Sequence, residues 1–399
     1  KVLGITRENL TGSRVIRAFN KEEDEREHFN ENNDLLTRAQ IYVGKISALM
    51  NPLTYVIING AIVVLVWTGA VRVDNGYITQ GQVVALINYM SQILVELVKL
   101  ANLIININKS IACGNRIQSV FEMQSSITDG CSRNMDKPQT TDSDESEDTE
   151  YAVEFSHVGL TYAGAGDESL TDIDFKVKKG ETIGIIGGTG SGKSSVVNLI
   201  PRFYDVTAGS VKVDGKNVKD YSLEELRGKI GTVLQKAVLF HGSIRENLKW
   251  GNPDASEEDL INAITVAQAK EFIDNKEGGL DFEVEQGGKN LSGGQRQRLT
   301  IARAVVKKPE ILILDDSASA LDFATDAALR KAIREMEGGT TVFIVSQRAA
   351  SIQHADRIVV LDDGKIVGLG TSEELLESCE VYQEIYNSQF KKQEGGKTA

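Results

Sequence analysis

The sequence contains little cysteine and little histidine. Its 3 cysteines, Cys113, Cys131 and Cys379, are too far apart to suggest a disulfide framework or a metal site. The 4 histidines show no spacing typical of metal ligands either. These scarcities argue against a protein stabilised by disulfides or zinc, and they favour a reducing environment for the cysteines.

Positive charge is also scarce. With 44 Lys and Arg against 57 Asp and Glu, the net charge is -13, which argues against nucleic acid as a partner.

No signal peptide and no initiator methionine are visible at Lys1, and the chain begins inside a helical pattern. We therefore expect a fragment, or a protein without its N-terminal part. The length of 399 residues suggests two or three domains.

Residues 1–45 are polar and have helical spacing of their apolar positions. Gly12 interrupts this pattern and predicts a turn. A run of charged residues follows at 21–27, which is typical of a solvated helix face.

Two apolar stretches come next, at about 49–73 and 81–115. Residues 53–71 carry no formal charge and are long enough to cross about 30 Å of hydrocarbon. The alternative is a buried helix of a soluble protein. The second stretch contains Glu96 and Lys99, whose spacing permits an ion pair on one helix face. Positive charges flank the two stretches on their outer sides, so we expect both outer flanks in the cytoplasm.

The remaining chain divides by composition. Residues 125–150 are polar and acidic, which predicts a flexible linker. After Tyr151, short β-type runs alternate with helical patterns, as in an α/β domain that we expect to span residues 151–390. We expect residues 391–399 to form a disordered tail.

Residues 187–194 fit the pattern G-x-x-x-x-G-K-[ST]. An apolar strand is predicted before them at 182–186 and a helix after them at 195–200. Backbone N–H groups of such a loop bind phosphate, while Lys193 reaches the β/γ-phosphates and Ser194 ligates Mg²⁺. The alternative is an ordinary glycine-rich turn. The candidate nucleotide-binding residues here are Gly187, Gly188, Thr189, Gly190, Ser191, Gly192, Lys193, Ser194 and Ser195.

Two further motifs carry chemistry. The predicted strand 311–315 ends in Asp315, which is placed to hold Mg²⁺ through water, and Asp316 follows where a base would orient an attacking water. Upstream, the segment 291–295 opens a helix and offers a second anion site. The residues of this second site are Ser292, Gly293, Gly294 and Gln295.

With these motifs in this order, residues 151–390 resemble the nucleotide-binding domain of the ATP-binding cassette (ABC) transporters. The resemblance implies ATP and Mg²⁺ as ligands, with Tyr162 stacked on adenine and Gln235 near Mg²⁺ and the membrane domain. It also implies that residues 317–322 form the D-loop, and that Glu285 matches an acidic motif of exporters.

The N-terminal part resembles the last third of an exporter membrane domain. The implied fold is an α-helical transmembrane domain (C-terminal part only, residues 1–124) joined to an α/β P-loop NTPase domain of ABC type. Residues 1–45 would be an intracellular loop with a coupling helix near residues 19–29. The two apolar stretches would be transmembrane helices 5 and 6.

Two positions depart from the family. The family usually has Glu at the position of Asp316 and His at the position of Gln347. Asp is shorter by one methylene, and a misplacement of about 1 Å can slow catalysis about 10²-fold. Gln347 can donate a hydrogen bond, but it cannot become a cation. We therefore expect ATP binding with slow turnover.

This combination is similar to the degenerate-site subunit of bacterial heterodimeric multidrug exporters. The intact signature, 291–295, would complete the competent site of a partner half-transporter. We expect a multi-pass plasma-membrane protein with a cytoplasmic cassette, from a bacterium, that moves a drug-like, lipid or peptide substrate.

Three alternatives stay open at this point. The protein could be a homodimeric exporter in which Asp316 is a working base. It could be a soluble ABC ATPase, against which the uncharged residues 53–71 argue. It could also be a regulatory subunit that does not transport, which the altered catalytic positions allow.

Overall fold

The computed structural model describes residues 1–123, 125–129, 150–317, 319–336 and 338–394. The chain divides into two compact units, Lys1–Gln124 and Ser125–Ala399. The acidic segment predicted as a linker lies mostly outside the described residues, since only 125–129 and Glu150 belong to them.

The first unit consists of three helices. They are α1 (Val2–Ala18), α2 (Glu22–Asp74) and α3 (Gln80–Phe121). The turn predicted at Gly12 is wrong, because α1 continues through it. A glycine inside a helix costs about 1 kcal/mol relative to alanine, which the rest of the helix can offset. The chain turns instead at Asn20, whose φ of 51° is left-handed.

Helix α2 is 53 residues long and contains Pro52. Helices α2 and α3 each contain a segment long and apolar enough to cross a membrane, Pro52–Asp74 and Gln80–Leu100. Large apolar side chains on both segments are exposed in this unit, and Trp67 is 75% exposed. Such an apolar exterior is typical of a surface that faces lipid or other helices.

The two charged residues of the second apolar stretch pair with each other on α3. Lys99 Nζ lies 2.7 Å from Glu96 Oε1. A paired charge is less costly in an apolar environment than an isolated one, so the ion pair makes these two residues compatible with their helix.

The second unit is an α/β structure with 12 strands among its described residues. Its strands are β1 (Tyr151–Leu160), β2 (Leu170–Lys178), β3 (Thr182–Gly187), β4 (Ala208–Val213), β5 (Lys216–Asn217), β6 (Ile230–Val233), β7 (Gly242–Ser243), β8 (Glu283–Val284), β9 (Ile311–Asp315), β10 (Thr341–Val345), β11 (Arg357–Asp362) and β12 (Lys365–Gly370). Its helices are α4 (Lys193–Leu199), α5 (Leu223–Lys229), α6 (Ile244–Lys249), α7 (Glu257–Val266), α8 (Lys270–Asp274), α9 (Gly293–Val305), α10 (Phe323–Arg334), α11 (Ala349–Ile352), α12 (Ser372–Ser378) and α13 (Glu380–Glu394).

Six strands form the central sheet in the order β12-β11-β3-β10-β9-β6. Neighbouring strands are parallel except for the pair β11 and β12. The strands β3, β9 and β10 are almost entirely buried, as expected for parallel strands covered on both faces. A second, antiparallel sheet has the order β2-β1-β4-β5 and packs on the central sheet through a shared apolar core.

Strand register brings three chain segments to one edge of the central sheet. Val345 at the end of β10 pairs with Asp315 of β9 on one side and with Ile185 of β3 on the other. The segments that follow these strands therefore lie side by side. In parallel α/β sheets, ligands bind at this carboxyl edge.

At the end of the chain, α13 continues to Glu394. The first four residues of the predicted disordered tail, 391–394, are therefore helical, and this part of the prediction is wrong. Residues 395–399 lie outside the described residues. The apolar residues of α13 explain its order, because Tyr382 is fully buried against the neighbouring core.

Candidate functional site

The loop between β3 and α4 has a conformation that requires glycine. Gly190 and Gly192 have φ values of 85° and 93°, which L side chains rarely adopt. A Cβ atom on Gly192 would lie 2.6 Å from Leu170 Cδ2. The glycine spacing of the motif is thus explained by backbone geometry, which turns the loop sharply into the start of α4.

Lys193 is buried at the start of α4, and its ammonium group binds backbone carbonyl groups of the loop. Its Nζ donates to the carbonyl oxygens of Gly187 at 3.0 Å and of Gly188 at 2.5 Å. Burial lowers the pKa of the Lys193 ammonium, and the nearby Asp316 and Asp315 oppose that effect. The Lys193 ammonium is therefore bound by carbonyl groups of the loop, and phosphate oxygens can replace these carbonyl groups.

Ser194 and Asp315 meet across the ends of β3 and β9. Ser194 Oγ donates to Asp315 Oδ1 at 3.0 Å. Burial raises the pKa of the Asp315 carboxyl against the effect of this hydrogen bond, and the charge of Asp316 raises it further. A carboxylate that is costly to ionise without a counter-charge is suited to a cation.

Asp316 is the first residue after β9. Its φ of 45° is left-handed, and its N–H donates to Val345 O at 2.9 Å, which fixes the backbone at this point. Gln235 Nε2 lies 3.5 Å from Asp316 Oδ2. Burial raises the pKa of Asp316, although Gln235, Arg348 and Lys193 act in the opposite direction. A raised pKa makes this carboxylate a stronger base.

These groups line one cavity of about 590 Å³, a volume typical of small-molecule sites. Of the predicted site residues, the cavity is lined by Tyr162, Thr189, Gly190, Gly192, Lys193, Ser194, Ser195, Gln235, Asp315, Asp316 and Gln347. The structure thus brings together residues from five separate parts of the sequence. Gly187, Gly188 and Ser191 contact Lys193 within the same loop.

Tyr162 lies in the turn after β1, at one end of the cavity. Its hydroxyl lies 2.8 Å from Ser195 Oγ, and its ring meets the ring of Tyr204 edge-on, with centroids 4.9 Å apart. A half-buried ring fixed in this way presents an aromatic surface at the cavity, which is compatible with base stacking.

The signature residues do not line this cavity. Ser292 caps the N-terminus of α9, where its Oγ accepts from Gln295 N at 3.3 Å. In return, Ser292 N donates to Gln295 Oε1 at 3.0 Å. Gly293 and Gly294 form the first turn, and a Cβ on Gly294 would lie 3.1 Å from Ala320 O. The two predicted anion sites are therefore separate surfaces of one chain.

Sequence reasoning missed several residues that line the cavity. Asp363 and Gly364, in the turn between β11 and β12, line it together with Ser169. An Asp-Gly pair between two β-type runs is a recognisable turn signal. Nothing in the sequence signals that this turn lies beside the glycine-rich loop, because that proximity follows from the pairing of β11 with β3.

The residues present fit a magnesium nucleotide. A hydroxyl, a carboxylate and an amide oxygen, from Ser194, Asp315 and Gln235, are the oxygen ligands that Mg²⁺ prefers. Next to them, a Cβ on Gly188 or Gly190 would meet nothing within 4 Å, so the loop leaves open space beside backbone N–H groups that can bind phosphate. Among the described residues, no group of three His, Cys, Asp or Glu side chains forms an alternative metal site.

Comparison with known proteins agrees with this geometry. Residues 170–319 match the family "ABC transporter", and residues 1–97 match the family "ABC transporter transmembrane region". An ABC transporter ATP-binding protein of Mycobacterium tuberculosis is 39% identical over 388 residues, which cover 96% of this chain and 65% of the relative. An ATP-dependent lipid A-core flippase of Desulfotalea psychrophila is 33% identical over 389 residues, covering 98% of this chain and 66% of the flippase.

Among solved structures, a bacterial Atm1-family ABC exporter with ATP bound superposes with a TM-score of 0.83 at 26% identity. The match covers 98% of this chain and 67% of that exporter. The chain belongs to the ABC transporters, with a transmembrane region and an ATP-binding cassette in one polypeptide, and it is similar to an exporter of that family. It spans about 65% of the length of the first two relatives named above.

Proposed function

We propose that this chain is a subunit of an ATP-driven exporter and that its cassette binds Mg²⁺-ATP in the cavity between β3, β9 and β10. The observation that carries the proposal is the convergence of the glycine-rich loop, Lys193 and the Ser194–Asp315 hydrogen bond at one sheet edge. Residues 1–124 would be the C-terminal part of the membrane domain, with the apolar parts of α2 and α3 as two of its spans.

In the proposed complex, backbone N–H groups of residues 188–193 and the Lys193 ammonium bind the phosphates. Ser194, Asp315 and Gln235 hold the Mg²⁺, which neutralises phosphate charge when it is bound. Tyr162 supports the adenine ring. Most of these groups already line the cavity, and on binding Lys193 would exchange its carbonyl partners for phosphate oxygens.

We infer that hydrolysis at this site is slow. Asp316 would orient the attacking water and accept its proton, but its side chain is one methylene shorter than the glutamate usual in the family. Gln347 lies at the cavity and can donate a hydrogen bond to the terminal phosphate, but it stays neutral. Both changes weaken stabilisation of the transition state and leave ground-state binding in place.

The catalytic positions Asp316 and Gln347 are altered, whereas the signature is intact. This contrast supports a heterodimer as the working assembly. The signature at the N-terminus of α9 has its expected residues, so it can complete the site of a partner cassette. That partner site would then carry most of the turnover. We further propose a multi-pass arrangement in a bacterial plasma membrane with the cassette in the cytoplasm, and a drug-like, lipid or peptide substrate. The lipid class is supported by the flippase relative.

A homodimer is the second candidate. It is favoured by the raised pKa of Asp316, which burial produces and which makes this carboxylate a stronger base. In a homodimer both sites would be identical, and this chain alone would hydrolyse ATP at an ordinary rate.

The deciding experiment measures nucleotide binding and steady-state ATP hydrolysis with the full-length protein in detergent, alone and then with a candidate partner. ATP binding with negligible turnover alone, and rapid turnover in the mixture, is the result expected for the heterodimer. Rapid turnover of the single subunit, abolished by Lys193→Ala, would establish the homodimer instead. Failure to bind ATP at all would contradict the proposal itself.

A further inference from the structure

The loop that carries Gln347 connects β10 to α11. We refer to its residues 346–348 as the switch loop. At its first residue, Ser346 N donates to Ile185 O at 3.1 Å, which ties the loop to β3. Within the loop, Arg348 N donates to Ser346 Oγ at 3.0 Å. The start of the switch loop is thus fixed to the strand that precedes the glycine-rich loop.

The Arg348 side chain anchors the switch loop on a second side. Its guanidinium carbon lies 5.4 Å from the ring centroid of Phe323, and one N–H group donates to Ser319 O at 3.4 Å. Neither of these contacts involves Gln347 itself. The position of Gln347 therefore depends on what holds its own backbone.

The backbone of Gln347 is held by α13, the last helix in the part of the chain that the structure describes. Gln389 of α13 donates from Nε2 to Gln347 O at 2.8 Å. Its Oε1 accepts from Ala349 N at 2.9 Å. One side-chain amide therefore binds the backbone on both sides of Arg348, with its donor and its acceptor both used.

Helix α13 is itself held firmly in the unit, so Gln389 is a fixed point. Tyr382 is fully buried, and its hydroxyl lies 2.9 Å from Ser372 Oγ. The rings of Tyr386 and Phe390 stack with centroids 4.2 Å apart. The apolar cluster around α13 also contains Ile186, Ala349 and Ile352, from β3 and α11. Helix α13 thus packs against β3, which precedes the glycine-rich loop, and against α11, which follows the switch loop.

We propose that Gln389 is a positioning residue that sets the backbone of the switch loop and thereby holds the Gln347 side chain at the cavity. This inference rests on the proposed function, in which Gln347 contacts the terminal phosphate of ATP. Gln389 does not line the cavity and acts only through Gln347. Because ADP lacks the terminal phosphate, the effect of Gln389 is specific for ATP.

The first test compares the affinities of ATP and ADP in the full-length protein, by equilibrium titration with Mg²⁺ present. For Gln389→Ala we expect ATP to bind about fivefold more weakly, as for the loss of one or two hydrogen bonds, and ADP to bind as before. The matched control is Gln383→Ala on the same helix, whose side chain donates to Leu376 O and does not reach the switch loop. Equal weakening of both nucleotides, or no change in either, would overturn the proposal.

The second test asks whether the two glutamines act as one unit. If Gln389 works through Gln347, the double variant Gln347→Ala/Gln389→Ala binds ATP no more weakly than Gln347→Ala alone. Additive losses would mean that Gln389 acts by another route, and they would contradict the proposal.

The third test uses a nearly isosteric replacement. In Gln389→Glu, the ionised carboxylate accepts from Ala349 N but cannot donate to Gln347 O, whereas the protonated form can do both. The side chain of this variant is ionised at pH 8, so we expect a reduced preference for ATP over ADP there, relative to wild type. A preference equal to that of wild type at pH 8 would count against the two-sided contact.

Amide hydrogen exchange separates this inference from the proposed function. Exchange of the Ala349 N–H should accelerate at least about tenfold in Gln389→Ala and stay slow in Gln383→Ala, with or without nucleotide. If the wild-type protein bound no nucleotide, the proposed function would fail, while faster exchange would still support the contact. Unchanged exchange at Ala349 would refute the contact, whatever the nucleotide data show.

Discussion

The N-termini of helices α4 and α9 both carry motifs expected to bind phosphate, yet they are built differently. At α4 the N-cap is Gly192, and no side chain caps the helix. At α9, Ser292 and Gln295 cap each other's backbone in a reciprocal capping box. The first helix end leaves its N–H groups to a ligand, whereas side chains at the second satisfy the N–H groups of Ser292 and Gln295.

The difference indicates how each site is expected to behave without nucleotide. The α4 site contains a buried ammonium and two carboxyls whose pKa values are raised by burial, so its charges are poorly compensated. At the α9 site the capping box satisfies two backbone N–H groups without a ligand, and the N–H groups of Gly293 and Gly294 lie outside that box. The first is a site maintained at the expense of stability, and the second contributes to stability.

The largest expected effect is on nucleotide affinity. Lys193→Ala should weaken ATP binding to this chain about 100-fold, because charge-assisted hydrogen bonds to the phosphates are lost. Ser292→Ala should leave that affinity unchanged, since α9 does not line the cavity. Titration of both variants with a fluorescent ATP analogue measures the contrast. Similar losses in the two variants would show that the sites are not separate.

The next effect concerns turnover. Asp316→Glu combined with Gln347→His should accelerate hydrolysis at the α4 site about 10- to 100-fold, because it restores the reach of the base and a group that can become cationic. Single-turnover hydrolysis in the assembled transporter is the measurement. The control is Asp316→Asn combined with Gln347→His, which should stay slow. If the first variant also stayed slow, Asp316 and Gln347 would not be what limits the site.

Removing the α9 cap should reduce stability. Ser292→Ala should lower the free energy of unfolding of the cassette by about 1 kcal/mol without nucleotide, a typical value for loss of an N-cap. Chemical denaturation monitored by tryptophan fluorescence would detect this change. Ser292→Thr retains a capping hydroxyl and should lose less, so an equal loss in both variants would exclude the cap as the cause.

The smallest expected effect is a gain in stability, opposite in sign to the loss expected for Ser292→Ala. Burial raises the pKa of Asp316, so folding favours its neutral form, and its ionisation costs stability as the pH rises through the folded-state pKa. Asp316→Asn should therefore raise the thermal midpoint of the nucleotide-free protein slightly at pH 7. The gain should vanish below about pH 3, where the carboxyl is protonated in folded and unfolded states alike. A midpoint that fell at pH 7 would contradict this account.

Sequence could predict the parts of the site that are local. The strands β3 and β9 and the loop after β3 were predictable, because an apolar run followed by glycines or carboxylates fixes both structure and chemistry within a few residues. The capping box at Ser292 was also within reach, since the spacing Ser-x-x-Gln is its signature. It was interpreted only as an anion site.

The remaining features depend on contacts between distant parts of the chain. Gln389 contacts the backbone of Gln347, which lies 42 residues earlier in the sequence. Its helix begins like an ordinary amphipathic helix, so the sequence does not reveal this contact. The continuation of α1 through Gly12 was likewise not predictable from local preference, which a long helix can override. The proximity of Asp315 and Asp316 to Lys193 follows from strand order, which composition and spacing do not reveal.

The length of α2 has a mechanical consequence. At 1.5 Å per residue its 53 residues form a rod about 80 Å long, so a tilt of about 5° moves one end by about 7 Å relative to the other. Pro52 lies near the middle and has no N–H to bond the carbonyl four residues earlier, which makes that point the softest of the rod. Small rotations at the polar end are therefore amplified at the apolar end, with Pro52 as the natural place for the rod to flex.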